Sequence, residues 1–416
     1  MDILRIATAG SVDDGKSTLI GRLLYETRSV PKDKLEAVDA ASKRRGVDFL
    51  DLSLLTDGLI AEREQGITID VAHVYFSTPG RKYIIADTPG HFEYTRNMVT
   101  GASKASVSII LIDARNGIVE QTARHYAIAS MLRIPNVIVC VNKMDLAGYD
   151  QARFDAIVAQ FLSQFAAVKP AAQQLHFLPA SSLHGENITV RSKHMPWYPG
   201  PVLLDVLETA EAHHQRQFAA RMQVQTVIRP RTDALHDYRG YAGRIASGAF
   251  STGETVHVLP NDRASVITAI ERFGQPLTRA EAGDSVTVQL ADDIDISRGA
   301  LLTAAGQQPP ARKELSARLC WLDHSATENG KTYIVQHGVN RVRAKIARIE
   351  SVIDVATQHL TEAPAQLKLN EIGAAVLRLA QPIFADAYVE NPANGAFILI
   401  DEWSNTTAGV GFVEVN

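Results

Sequence analysis

Residues 4–24 read LRIATAGSVDDGKSTLIGRLL, and the fold of the first half of the chain follows from this stretch. An apolar run stops at Gly10, a polar loop follows, and Lys16, Ser17 and Thr18 open an amphipathic segment. The loop Gly10, Ser11, Val12, Asp13, Asp14, Gly15, Lys16, Ser17 matches G-x-x-x-x-G-K-S. Its physical task is to hold a triphosphate. Gly10 and Gly15 are expected to take backbone angles that a side chain forbids. The N–H groups then converge on phosphate oxygens, and the following helix adds the positive end of its dipole. Lys16 would reach the β and γ phosphates and Ser17 would ligate Mg2+. The plain alternative is a Gly-rich turn between a strand and a helix.

The bulk properties narrow the class. At 416 residues the chain has room for two to four domains, each with its own core. Lys and Arg number 42 against 46 Asp and Glu, a net charge of −4, which does not point to a protein whose main work is wrapping nucleic acid. The two cysteines, Cys140 and Cys320, give no disulfide framework, so a reducing, cytoplasmic setting is expected. Cys140, in the run NVIVCV, reads as a buried small residue. The first residues run directly into a strand, so no signal peptide is expected, and no apolar run approaches a membrane span.

Up to about residue 210, strand and helix patterns alternate. The strand candidates are 4–9, 83–86, 107–112, 136–141 and 176–179, with helical stretches such as 121–132 and 153–165 between them. This alternation predicts an α/β domain with a mainly parallel sheet, whose ligands bind beyond the carboxyl ends of the strands. Residues 28–68 form a long, charged connection. Near its end, in EREQGITI, Thr68 would fold over a γ phosphate and complete a Mg2+ shell, releasing when that phosphate is lost. An ordinary surface loop is the competing reading.

Three further motifs follow three strands. Asp87, Thr88, Pro89, Gly90 and His91 come after the strand ending at residue 86. Asp87 would hold a Mg2+-bound water, Gly90 would offer its N–H to the γ phosphate, and His91 would orient an attacking water. Asn142, Lys143, Met144 and Asp145 follow the strand 136–141. The Asp145 carboxylate would accept hydrogen bonds from N1–H and the exocyclic amine of guanine, a donor pair that adenine lacks. Asn142 would bridge loops and the Lys143 stem would lie along the base; the plain alternative makes Asp145 a helix N-cap. Ser181, Ser182 and Leu183 end the next strand, where backbone N–H groups would contact the guanine oxygen. Five motifs in this order imply binding and hydrolysis of GTP with Mg2+, with Lys16, Thr68 and His91 as the catalytic set.

The texture changes after a polar, His-bearing stretch at 208–221, where His213 and His214 read as part of a linker rather than a zinc site. Short β-rich runs (QVQTVI, ETVHVL, SVITAI, DSVTVQL) suggest a compact barrel. A linker at 306–310 precedes a second set (ARLCWL, KTYIVQ, RVRAKIARIESV, AAVLRLA, GAFILID). Gly330, Lys331 and Thr332 resemble half a P-loop but read as a strand entry. The expected domains are 1–212, a linker at 213–221, and barrels at 222–306 and 311–416.

A GTPase domain followed by two β-barrels resembles the elongation factor Tu superfamily of translational GTPases, and EREQGITID, DTPGH and NKMD all fit that group. Elongation factor Tu typically carries HVDHGKT where this chain has SVDDGKS. That loop, with TLIGRLLY, YTRNMVTGAS, MPWY, DISRG, KTY and GAFILID, is similar to the large GTPase subunits of bacterial sulfate adenylyltransferases. MPWY and GAFILID also fit eukaryotic elongation factor 1-alpha, so a factor delivering aminoacyl-tRNA stands as the alternative. The resemblance implies coupling of GTP hydrolysis to adenylyl transfer from ATP to sulfate. It also implies a smaller catalytic partner subunit of the ATP pyrophosphatase type, consistent with the lack of an S-G-G-x-D-S loop here. The chain stops after the second barrel, so no fused adenylylsulfate kinase activity is expected, and its N-terminus is short for the family. Val12 and Ile67 would form an apolar gate in front of His91, or simply pack the loops.

Overall fold

The computed structural model describes residues 2–44, 50–55, 72–88, 95–166, 169–211, 218–230, 238–328, 330–354 and 360–415. The chain divides into two compact units that part between residues 215 and 216.

The first unit is built on a six-stranded sheet. In chain order its strands are β1 (Ile3–Ala9), β2 (Ala72–Ser77), β3 (Lys82–Asp87), β4 (Val107–Asp113), β5 (Asn136–Asn142) and β6 (Gln174–Pro179). The spatial order is β2-β3-β1-β4-β5-β6. All neighbours are parallel except β2, which pairs antiparallel with β3 at one edge. Strands β4 and β5 are buried along their whole length, as expected for central strands covered on both faces. The order reverses at β1, flanked by β3 and β4, so loops leaving the carboxyl ends of these strands diverge around a crevice.

Helix α1 (Lys16–Glu26) covers one face. Leu19, Ile20, Leu23 and Leu24 recur at helical spacing and are buried against Leu4, Ile6, Ile109 and Leu111. Helix α2 (Lys32–Arg44) and strand β2 are among the elements that escape the sequence reading. Helix α2 lies inside the segment read as a long loop; it buries only Val38 and Ser42, so it lacks the apolar stripe that announces a helix. Strand β2 sits at the edge with Tyr75 exposed and only Phe76 buried. No described helix is long and apolar enough to cross a membrane.

The second unit contains two closed barrels. In the first, Thr255–Leu259, Leu301–Ala304, Arg221–Ile228, Gly240–Ser247, Ser285–Leu290 and Arg263–Arg272 pair in that order and close back on the first strand. In the second the ring runs Thr332–His337, Ala396–Asp401, Thr407–Val413, Ala311–Trp321, Ile372–Phe384 and Asn340–Ile353, and closes likewise. Closure removes the exposed edges that open sheets present. Alternating residues fill each interior: Val224, Ile245, Val256, Val258 and Ile267 in one, Leu315, Leu319, Trp321, Tyr333 and Val335 in the other. Thr332 opens a strand and Lys331 pairs with Asp401 at 2.9 Å, so the Gly-Lys-Thr there is a strand entry, as its sequence suggested.

A buried ion pair joins the barrels. The Arg221 guanidinium donates to both carboxylate oxygens of Asp386 at 2.9 and 2.8 Å, and Asn394 Nδ2 donates to Asp386 Oδ2 at 2.8 Å. Removing one partner of a buried, bidentate pair leaves the other charge without compensation. Asp386→Ala should therefore lower the unfolding free energy of this unit by about 3–5 kcal/mol. Urea denaturation checks this, and an unchanged midpoint would contradict it.

Candidate nucleotide site

Every described candidate residue lies at the carboxyl end of a strand or in the loop or helix turn that directly follows one. β1 delivers the loop 10–15, and α1 starts at Lys16 with no side chain capping its first turn, so its N-terminal N–H groups face outward. Gly15 has φ 91° and ψ 29°, the left-handed region. A Cβ there would also stand 2.5 Å from Asn142 Nδ2. Gly10 differs from the expectation. It has no positive φ, and what it supplies is space, since a Cβ would stand 3.2 Å from Leu111 Cβ.

Lys16 is 8% exposed, and its Nζ donates to the carbonyls of Gly10 at 3.0 Å and Ser11 at 3.4 Å. Burial pushes its pKa down, while the carboxylates of Asp87, Asp14 and Asp13 work against that. Asp14 braces the loop by accepting the Ser11 N–H at 2.6 Å, and burial raises its pKa. Asp13 adopts φ 67° and is exposed, as is Val12. Ser17 and Thr18 are half-buried in the first turn.

The pairing register then sets the neighbours. Thr8 of β1 lies opposite Asp87 of β3, and Thr8 Oγ1 donates to Asp87 Oδ1 at 3.1 Å. Thr88 Oγ1 donates to the Thr8 carbonyl at 2.5 Å. Asp87 is 3% exposed. The Ser17 hydroxyl and Asp87 carboxylate are hard oxygen donors of the kind Mg2+ takes, so the residues fit that ion. Thr68, Pro89, Gly90, His91 and Ile67 lie outside the described residues.

On the other side of the crevice, Asn142 is tied on both ends of its amide. Its Nδ2 donates to the Asp14 carbonyl at 2.8 Å, and its Oδ1 accepts from Ser182 N and Ser182 Oγ, both at 2.9 Å. One side chain thus joins the phosphate loop to the loop after β6. Lys143 adopts φ 61°, and its Nζ lies 3.1 Å from Asp113 Oδ2. Met144 is fully buried and donates its N–H to the Ala180 carbonyl at 3.0 Å. Asp145 Oδ1 is buried without a hydrogen-bond partner among the described residues, and its Oδ2 is 3.9 Å from His184 Nε2. An unsatisfied buried carboxylate oxygen is costly unless a ligand serves it. The helix that follows, Gln151–Phe165, is capped by Asp150, whose carboxylate takes the N–H groups of Ala152 and Arg153. Asp145 is therefore not that helix's cap.

Ser181 is bridged to Glu186 through backbone hydrogen bonds, Ser182 is bound to Asn142, and Leu183 is half-buried beside them. Cys140, inside β5, is wholly buried, and burial pushes its thiol up to about 12.

Sequence reasoning missed Asp113. The β4–β5 register sets it beside Asn142, where it holds both Arg115 and Lys143. The only sequence signal was a lone Asp at the end of an apolar run. Burial pushes its carboxyl up, but hydrogen bonds from Arg115 and Lys143 outweigh this and hold it at about 2.

These strand ends, the phosphate-binding loop and the poised Asp145 define a P-loop nucleotide-binding domain. Comparison with known proteins agrees. Residues 1–235 match the model of the elongation factor Tu GTP binding domain, and residues 314–414 match the GTP-eEF1A C-terminal domain-like family. The chain is 49% identical over 413 residues to "Bifunctional enzyme CysN/CysC" of Mycobacterium tuberculosis (strain ATCC 25618 / H37Rv), covering 99% of this chain and 67% of that protein. It is 45% identical over 415 residues to "Sulfate adenylyltransferase subunit 1" of Citrobacter koseri, covering 99% and 86%. The protein of that name from Sodalis glossinidius is 46% identical with the same coverage. Among solved structures, the GTPase-like domain of S. cerevisiae Ski7 superimposes with a TM-score of 0.54 at 16% identity, covering 100% of this chain and 98% of that one, which speaks to the fold. The chain belongs to the sulfate adenylyltransferase subunit 1 family of elongation factor Tu-type GTPases.

The Asp113 cluster carries a pH prediction. A carboxyl held below its unfolded value of about 3.9 adds stability above that pH and loses it as pH falls toward the folded value. Asp113→Asn should thus be less stable than the parent at pH 7, with the difference shrinking between pH 5 and 2. Denaturant titrations across that range check it; a gap independent of pH would contradict it.

Proposed function

We propose that this chain hydrolyses GTP and couples that hydrolysis to the reaction of ATP and sulfate to adenosine 5′-phosphosulfate and pyrophosphate, carried out on a separate, smaller subunit of the ATP pyrophosphatase type. The observation that carries this reading is the end-to-end match to proteins named sulfate adenylyltransferase subunit 1, at 45% identity over 99% of the chain. The site supports the GTP half independently.

In this reading Asp145 takes the guanine donor pair and Asn142 holds the two flanking loops at fixed separation. Ser181, Ser182 and Leu183 line the base, and Lys143 lies along it. Residues 10–18 wrap the phosphates, with Lys16 against the β and γ groups, where its charge is worth most as negative charge builds on the phosphoryl oxygens. Ser17 and Thr68 would hold Mg2+, with Asp87 supporting it through water, and the ion would supply further neutralisation of phosphoryl charge. Gly90 would offer its N–H to the γ phosphate, and His91 would orient the attacking water. Making a mixed phosphate–sulfate anhydride is steeply uphill, which is the physical reason to couple it to GTP hydrolysis. A cytoplasmic location follows from the same reading.

The direct test mixes the purified chain with the smaller subunit and measures pyrophosphate release from ATP and sulfate. GTP should stimulate release. No stimulation, together with tRNA binding that weakens steeply with salt, would overturn the proposal. For the hydrolytic step, His91→Ala should keep GTP binding while turnover falls at least about tenfold; unchanged turnover would remove His91 from the mechanism.

A further inference from the structure

Helix α1 does more than start at the phosphate loop. Two turns further on, Arg22 reaches the loop that follows β6. Its Nε donates to the Ser182 carbonyl at 3.0 Å, and its Nη2 donates to the Leu183 carbonyl. The side chain is only 16% exposed and lies 3.7 Å from Glu26. Glu26 Oε2 in turn accepts from Thr189 Oγ1 at 2.5 Å. Gly185 makes the approach possible, since a Cβ there would stand 2.3 Å from Glu26 Oε1. The carboxyl half of α1 therefore grips the loop at both ends.

Holding two successive carbonyls fixes more than the carbonyls. The peptides involved are trans, so each N–H points opposite to the C=O of the preceding residue. A guanidinium on the Ser182 carbonyl thus aims the Leu183 N–H away from α1. One on the Leu183 carbonyl aims the His184 N–H the same way. A cation at the carbonyl also polarises the amide and strengthens its N–H as a donor. The other N–H groups of the segment have acceptors: Ser181 N donates to the Glu186 carbonyl, Ser182 N to Asn142 Oδ1, and His184 N to Ser181 Oγ. Among the described residues the Leu183 N–H has none. The same segment borders Asp145, through His184 Nε2 at 3.9 Å from its Oδ2.

We propose that Arg22 is a positioning residue for base recognition: it clamps the Ser182 and Leu183 carbonyls and so holds the Leu183 N–H as the donor to the 6-oxo group of the bound purine. This rests on the guanine reading of the site. It separates two halves of recognition. Asp145 reads the N1–H and 2-amino edge, and Arg22 acts only through the 6-oxo contact. It also links that contact to α1, the helix whose first turn faces the phosphates.

Two nucleotide analogues distinguish the halves. 6-Thio-GTP keeps N1–H and the 2-amino group but replaces the 6-oxygen with the weaker acceptor sulfur. ITP keeps the 6-oxo group and N1–H but lacks the 2-amino group. The experiment measures equilibrium binding of GTP, 6-thio-GTP, ITP and ATP to the full chain and to Arg22→Ala. For the parent chain, preference for GTP over ATP tests the guanine reading by itself. For Arg22→Ala, GTP affinity should fall about tenfold and the preference for GTP over 6-thio-GTP should collapse toward one. Its preference for GTP over ITP should stay at the parent value. Arg22→Lys, which can serve one carbonyl but not both in parallel, should retain part of the 6-oxo discrimination and serves as the variant if Arg22→Ala does not fold. The proposal is overturned if the parent does not discriminate 6-thio-GTP, or if Arg22→Ala keeps that discrimination. It is also overturned if Arg22→Ala loses both preferences alike, since a merely structural residue would do that.

Discussion

The amide of Asn142 is the fixture on which the site depends. A carboxamide has a donor and an acceptor a little over 2 Å apart, and this one uses both. Its donor holds the Asp14 carbonyl in the phosphate loop, and its acceptor holds Ser182 in the loop after β6. The fit leaves no room at Gly15, where even a methyl group would collide with the amide nitrogen. Two loops that start from different strands, β1 and β6, are thereby set at one separation. Buried networks of this kind are rigid when every member is satisfied.

Around that fixture the sheet register assigns partners. Parallel pairing of β1 with β3 sets Thr8 opposite Asp87, and pairing of β4 with β5 sets Asp113 opposite Asn142. Asp113 can then reach forward to Lys143, whose φ of 61° is uncommon for a residue with a side chain. The strained turn aims the next residues so that Met144 sinks into the core and Asp145 comes out poised, with one carboxylate oxygen unserved by the described residues. The same logic explains Arg22. Helix α1 leaves the phosphate loop in a fixed direction, and one turn past its first buried Leu it meets the loop that Asn142 has already placed.

The sequence showed these elements unevenly. The phosphate loop, Asn142, Asp145 and the serines were legible because each sits in a short motif after an apolar run, where local chemistry determines local geometry. The alternation of strands and helices, and then of short β runs, was enough for one α/β domain and two barrels. Helix α2 was invisible because it buries almost nothing, and β2 because it is an edge strand that buries only Phe76 and carries the apolar ring of Tyr75 on its exposed face. Asp113, Thr8 and Arg22 were missed for a different reason. Their partners lie 30, 79 and 160 residues away, and only strand register and helix direction bring them together. Gly10 was legible as a residue but misread in its reason, since it supplies space rather than an unusual angle.

Family membership and geometry therefore meet at one point, the proposal that Asp145 reads guanine. The most direct measurement of that claim is nucleotide selectivity after Asp145→Asn. Xanthine carries an oxo group where guanine carries its 2-amino group, so an amide donor at residue 145 complements xanthine where the carboxylate complemented guanine. Equilibrium binding of XTP and GTP to the variant should show the preference reversed in favour of XTP. A variant that still prefers GTP as the parent does would show that Asp145 does not read the base.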